Sequence, residues 1–367
     1  MRLLSLGIFT ILLCSSTLFA STQLSLEEKL GGMLMVGFYG TSAKPDSQIC
    51  KDIKKYNIAG VILFDLNPMN KKRAKNISSR KQLKQLTKEL QNCSRDGKLL
   101  IAVDQEGGRV QRLKSRYGFD GNFPKASDAK KISQPKLSKS YDRMGAELKS
   151  VGVNYNLAPV VDLAINKNNH VIYGLGRSYG SHPQNVASYS NIFINSMHRY
   201  GILTSLKHFP GHGSSTGDTH KGFVDVTSQW KKSELEPYRL LIQKRDVDSI
   251  MVAHVMNKNL DKNYPATLSS KTINGKLRQE LGFRGVVITD DLQMGAISQR
   301  YTFKQRIKLA INAGNDILLF GNQLNLATVI STKKLVNIMI NLLESKDIKQ
   351  ESIDKALIRI QKLKGKL

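Results

Sequence analysis

Acidic residues are scarce: 29 Asp and Glu stand against 56 Lys and Arg in 367 residues, a formal net charge of +27. Such a chain is drawn to polyanions. Nucleic acid is the obvious candidate, but aromatic residues make up only 7% of the chain. The basic residues are scattered over helix-patterned stretches such as "KQLKQLTKEL" and "IRIQKLKGKL", with no aromatic platform between them. That argues against nucleic-acid binding as the function. Most of the charge reads as solvated helix faces, with anionic cell-wall polymer as a further partner class. Long apolar runs are also missing after residue 20, so no integral membrane span is expected. There is no low-complexity tract and no repeat of fixed period. The glycine-rich turn of a dinucleotide site is absent, since "GFYGTSAK" matches it poorly. So is the Gly-Lys-Ser/Thr order of a phosphate-binding loop.

The first twenty residues, "MRLLSLGIFTILLCSSTLFA", stand apart. Arg2, an uncharged apolar run and small residues ending at Ala20 form the layout of a secretory signal peptide. Residues 1–20 are therefore expected to be removed, leaving 21–367 as one catalytic domain in the periplasm or secreted. Leu13 before Cys14 argues against lipidation there. Two cysteines remain, Cys50 and Cys93, in segments expected to be the first two helices. In an oxidising compartment they can pair; two half-buried free thiols are the alternative.

What is present is one pattern repeated eight times. Short apolar runs lie at 33–40, 60–66, 99–105, 154–163, 203–209, 249–255, 286–291 and 316–321, with helical stretches between them. Each is about the length of a buried strand. Strands alternating with helices imply a parallel sheet. Eight such units predict an α/β fold, a single TIM-like (β/α)8 barrel with C-terminal helices; an open doubly wound sheet is the runner-up. Ionisable residues close several runs: Asp104, Asp162, Lys207 with His208, His254 and Asp290. A barrel whose chemistry sits at the carboxyl ends of its strands needs that order.

The densest chemistry is "KHFPGHGSSTGDTH", residues 207–220, which holds three of the seven histidines. A metal site on His208, His212 and His220 is one reading. However, Phe-Pro-Gly after His208 prevents the pair four apart from sharing a helix face, and no metal is expected. An acid/base reading uses Asp218 and His220, two apart and on the same side of an extended loop. A carboxylate beside an imidazole fixes its tautomer and raises its basicity, and histidine can give and recover one proton near neutral pH. "GVVITDDLQM" ends a strand in Asp290-Asp291, of which one can face the centre; Asp291 is a candidate cap for the next helix. In "VDQEGGRVQRL", Asp104 ends a strand, and Arg109 and Arg112 are spaced to share one face of a short helix. A carboxylate with arginines suits a ligand rich in hydroxyls. "GLGRSYG" adds Arg177 on a loop.

Together these four motifs resemble the family 3 glycoside hydrolases, and within them the single-domain β-N-acetylglucosaminidases that act on cell-wall fragments. The resemblance spans about residues 25 to 340 and agrees with the barrel. It implies Asp290 as nucleophile of a covalent glycosyl-enzyme and His220 as general acid/base, oriented by Asp218. It implies Asp104, Arg112, Arg177, Lys207 and His208 as sugar-binding residues, with Asp162 and His254 lining the pocket. No cofactor is expected, the partners are N-acetylglucosamine-containing glycans such as muropeptides, and a monomer is expected. Relatives in Gram-negative cells are typically cytoplasmic, whereas this chain carries an export signal. Three rivals stay open: a phosphorylase using the same residues, a metal-dependent hydrolase, and a non-catalytic wall-binding protein.

Overall fold

The computed structural model describes residues 24–70, 72–324 and 329–367; the expected leader, residues 1–20, lies outside them. Strands β1 (Leu34–Val36), β2 (Gly60–Ile62), β3 (Leu100–Val103), β4 (Tyr155–Asn156) and β5 (Leu203–Phe209) form the first part of the sheet. A short ribbon, β6 (Val224–Asp225) with β8 (Val255–Met256), flanks β7 (Ser249–Val252), and β9 (Val286–Thr289) and β10 (Leu318–Phe320) follow. The main sheet has eight strands in the order β10-β1-β2-β3-β4-β5-β7-β9. Every pairing is parallel, and a parallel bridge between Ile288 and Ile317 closes the ring. The (β/α)8 barrel expected from the eight apolar runs is therefore what forms.

Strand alternation sorts the apolar side chains into two sets. Met35, Ile62, Leu100, Tyr155, Leu203, Met251, Ile288 and Leu319 pack together inside the barrel. Their neighbours Leu34, Val61, Ile101, Leu206, Ile250, Val287 and Leu318 belong to the outer core, beneath helices such as Pro183–His198 and Phe303–Ala313. Both faces of each strand are covered, which is why the runs read as continuously apolar.

The C-terminal helices pack on the barrel as expected, and the last of them does more. Ile360 and Leu363 of the helix Gln350–Lys364 join the inner cluster, so this helix plugs the amino-terminal mouth. Cations of this helix and of the residues just after it lock onto carboxylates that just precede strands. Arg359 Nη1 donates to Asp316 Oδ1 at 2.8 Å, and Lys366 Nζ donates to Asp248 Oδ1 at 2.6 Å.

Cys50 and Cys93 are joined, with Cα atoms 5.3 Å apart. They sit on the helices Gln48–Tyr56 and Arg80–Cys93. Among the described residues these are the second and third helices, not the first two, because a short capped helix, Leu26–Gly31, precedes them. A sequence separation of 43 residues corresponds to about 4 kcal/mol in the chain-entropy account of disulfides.

Two local expectations are corrected. The run 154–163 yields only β4 and an isolated bridge from Val160 to Lys207. Pro159 offers no backbone donor to a ladder, and the Asn156 side chain is turned to the backbone of Gln105 at 2.9 and 3.0 Å. Arg109 and Arg112 share no helix. Gly107 and Gly108 have φ of 97° and 60°, a region that glycine reaches readily, and the chain folds back with Gly107 bridging Val110.

Candidate active site

The carboxyl ends of the strands open into a cavity of about 380 Å³. On one side it is lined by Asp104, Arg112, Arg177, Lys207 and His208; facing them are Asp218, His220 and Asp290. All eight side chains expected at the site therefore converge from five segments of the chain. Asp104 and Asp290 each follow directly on a strand, β3 and β9, while Lys207 and His208 stand near the end of β5. The peptide bond between Lys207 and His208 is cis.

The side that carries Asp104 is a continuous charge network. Asp104 accepts hydrogen bonds from Arg112 Nη2 at 3.0 Å and Lys207 Nζ at 2.9 Å. Lys207 Nζ also lies 2.7 Å from Glu106 Oε1. Arg177 grips Glu106 in a two-pronged fork, both contacts at 2.8 Å. Burial would raise the pKa of Glu106, but Arg177 and then Lys207 outweigh it and hold the carboxyl at about 2. Asp104 is likewise driven far below the usual range, with Lys207 and Arg112 overcoming burial. These groups keep fixed charges across the physiological range. With fixed geometry, they form a rigid set of donors and acceptors.

Glu106 was not singled out from the sequence, although it lies inside "VDQEGGRVQRL". Its partner Arg177 is 71 residues away, so no local spacing reveals the pair. Asp162 and His254 are corrected: neither lines the cavity, and both are fully buried behind it. Asp162 Oδ2 accepts from His208 Nδ1 at 2.7 Å, and its Oδ1 accepts the backbone N–H of His212 at 2.8 Å. That fixes which nitrogen of His208 faces the cavity. His254 Nε2 donates to the Asp291 carbonyl at 2.9 Å, beneath the turn that carries Asp290. Glu234, also unremarked in the sequence, accepts the N–H groups of Gly213 and Ser214 at 3.0 and 3.3 Å and anchors the base of the histidine-rich loop.

The three histidines of that loop have three different partners. His208 meets Asp162, His212 Nδ1 meets Ser215 Oγ at 2.6 Å, and His220 Nδ1 meets Asp218 Oδ1 at 2.9 Å. The Asp218–His220 contact arises from a turn and not from an extended loop: Asp218 Oδ1 also accepts the His220 N–H at 3.0 Å, and Asp218 O accepts from Lys221 N. The His220 side chain is 51% exposed, against 3% for Lys207, so the imidazole stands free at the mouth. The turn is clasped from below. Ala296 N donates to Thr219 O at 3.0 Å, and Gly295 N donates to His220 O at 3.3 Å.

Asp290 and Asp291 differ sharply. Burial opposes ionisation of Asp290, but His254, His208 and His220 together hold its pKa below the usual range. Burial pushes Asp291 up to about 6. Asp291 does not cap the next helix, whose cap is Met294; its Oδ1 accepts from Gln293 N at 3.0 Å. Two adjacent carboxyls driven apart in this way suit different tasks.

The chain has counterparts among known proteins. Residues 25–363 match the model of the glycosyl hydrolase family 3 N-terminal domain. The chain is 32% identical over 383 residues to beta-hexosaminidase A of Pseudoalteromonas piscicida, covering 95% of this chain and 62% of that protein. It superposes on a glycoside hydrolase family 3 β-N-acetylglucosaminidase of Paenibacillus sp. str. FPU-7 with a TM-score of 0.80 at 32% identity, covering 94% and 63% of the two chains. On a β-N-acetylhexosaminidase of Beutenbergia cavernae the TM-score is 0.81 at 28% identity, covering 94% and 99%. The chain thus spans less than two thirds of the first two relatives and nearly all of the third. With the match running through almost every described residue, from the short first helix to the helix that plugs the barrel, this chain belongs to glycosyl hydrolase family 3.

Proposed function

We propose that the protein is a retaining exo-β-N-acetylglucosaminidase that removes terminal, non-reducing N-acetylglucosamine from peptidoglycan fragments. The observation that carries this reading is that ionised Asp290 and the Asp218–His220 pair line the same cavity. Relatives named beta-hexosaminidase and β-N-acetylglucosaminidase support the substrate class.

In this mechanism the sugar ring rests against Asp104, Arg112, Arg177, Lys207 and His208. Asp290 attacks the anomeric carbon, and the glycosidic oxygen leaves with a proton from His220. Asp218 holds the imidazole through Nδ1, leaving Nε2 to deliver that proton. His220 then takes a proton from water, which attacks the glycosyl-enzyme and releases the sugar with its starting configuration. A histidine here does the work that a second carboxylic acid does in most retaining glycosidases.

Water is favoured over phosphate as the acceptor by the charge of the cavity. Five carboxylates (Asp104, Glu106, Asp218, Asp290 and Asp291) face four cations, Arg109, Arg112, Arg177 and Lys207, in its lining. Three of those cations are already paired with carboxylates, so little positive potential remains for a phosphate dianion. The leader-like residues 1–20 and the Cys50–Cys93 bond support export to an oxidising compartment such as the periplasm, where 21–367 works as a single catalytic domain and as a monomer.

The test is a purified mature protein incubated with an aryl β-N-acetylglucosaminide, with and without phosphate. Free N-acetylglucosamine in both cases is the expected product; the 1-phosphate would mark a phosphorylase. A fluorinated glycoside should label Asp290, and a label on another residue would overturn the nucleophile assignment.

A further inference from the structure

The charge of +27 plays no part in the catalytic cavity, whose lining is close to balanced. One place where the excess gathers is a cleft of about 420 Å³ at the opposite end of the barrel. Its location follows from the chain: Arg278 Nη1 donates to Gly285 O, just before β9, and Asp316 lies just before β10. Asp290 stands five residues further along that segment, roughly 16 Å away at about 3.3 Å per residue.

Four cations, Arg278, Arg284, Lys355 and Arg359, line this cleft with one carboxylate, Asp316. Asp316 is consumed by two of them, accepting Arg278 Nη2 at 2.7 Å and Arg359 Nη1 at 2.8 Å. Arg284 is exposed and makes no ion pair among the described residues. Lys355 meets only Glu351, one turn away on its own exposed helix face, a contact of small worth. Two polar atoms of residues in its wall are buried behind it and lack partners among the described residues. Arg278 Nε is a donor lacking an acceptor, and Asn315 Oδ1 is an acceptor lacking a donor. Both residues line the cleft. Being buried, they are not themselves contacts for an occupant of the cleft. Like charges this close raise the local potential: Arg359 and Arg284 add to burial in lowering the Arg278 pKa.

We propose that this cleft binds phosphate groups, above all those of a phosphate-bearing polymer, and so holds the protein with its catalytic mouth pointing away from that polymer. Guanidinium forks match phosphate oxygens. A surplus of at least two positive charges fits a dianion better than a single carboxylate.

The test uses the mature protein and titration calorimetry with tripolyphosphate, inorganic phosphate and citrate. Two charge-matched variants are compared: Arg284→Gln/Lys355→Gln in the cleft, and Lys81→Gln/Lys84→Gln on the exposed face of the helix Arg80–Cys93. The cleft variant is expected to bind tripolyphosphate about tenfold more weakly, the control about twofold. Citrate should bind far more weakly than tripolyphosphate. Inorganic phosphate matching tripolyphosphate would identify the free ion as the ligand, and weaker binding would identify the polymer. Equal weakening in the two variants, or citrate binding as tightly as tripolyphosphate, overturns the proposal. Calorimetry reads none of the glycosidase activity, so failure here is distinct from failure of the catalytic assignment.

Discussion

At the carboxyl end of the strands Asp104 accepts from Arg112 and Lys207; at the amino end Asp316 accepts from Arg278 and Arg359. Each is a carboxylate held between two cations, yet the surroundings differ. Asp104 keeps 17% of its side chain exposed and faces an open cavity, whereas Asp316 keeps 1% and ties the last helix across the barrel floor. Around Asp104 other carboxylates balance the cations; around Asp316 the cations are in surplus. The same pairing therefore borders the open mouth at one end and ties down the barrel floor at the other. It also shows how a strongly basic protein can enclose a nearly neutral cavity.

Substitutions at the two ends should separate activity from stability. The largest effect belongs to Asp290→Asn, expected to cost at least about 10⁴-fold in kcat/KM on every substrate. Its melting temperature should stay near that of the parent, and it should form no glycosyl-enzyme detectable by mass. His220→Ala should lose about 10²–10⁴-fold, equivalent to about 3–5.5 kcal/mol of barrier. The loss should shrink on aryl glycosides with good leaving groups, which need less protonation. At the other end, Asp316→Ala should leave kcat intact but cost about 3 kcal/mol in denaturant unfolding, because it strands two guanidinium groups. If Asp316→Ala abolished activity while leaving stability unchanged, the division between the two ends would be wrong.

The smallest effect concerns Asp291. Its folded pKa of about 6 lies above the ordinary 3.8. The native state therefore binds the extra proton between those values, and stability falls as pH rises through that window. Asp291→Asn should remove this slope and stabilise the protein by about 1–3 kcal/mol at pH 8, with no gain below pH 4. It should remain far more active than Asp290→Asn. The reverse order of activities would shift the nucleophile by one residue.

The barrel was legible because a strand covered on both faces must be apolar throughout, and β5 coincides with the run 203–209. The catalytic candidates were legible because they end such runs or sit in compact motifs. What stayed hidden was the support behind them. Glu106 with Arg177, Asp162 with His208 and Glu234 with the Gly213–Ser214 backbone are pairs separated by 20 to 71 residues. Only the closed barrel brings them together, so no local period announces them. The misread helix at Arg109–Arg112 has a different cause: two left-handed glycines overrode the spacing of the arginines.

The hydrogen bonds from Gly295 and Ala296 to His220 and Thr219 join the turn bearing the proposed proton donor to the segment just past Asp290. The His220 imidazole and the Asp290 carboxylate, 70 positions apart in the chain, are thus tied through one pair of backbone contacts. If the histidine turn lifts, it must leave two amide hydrogens bare, and the segment after Asp290 supplies the landing marks for its return.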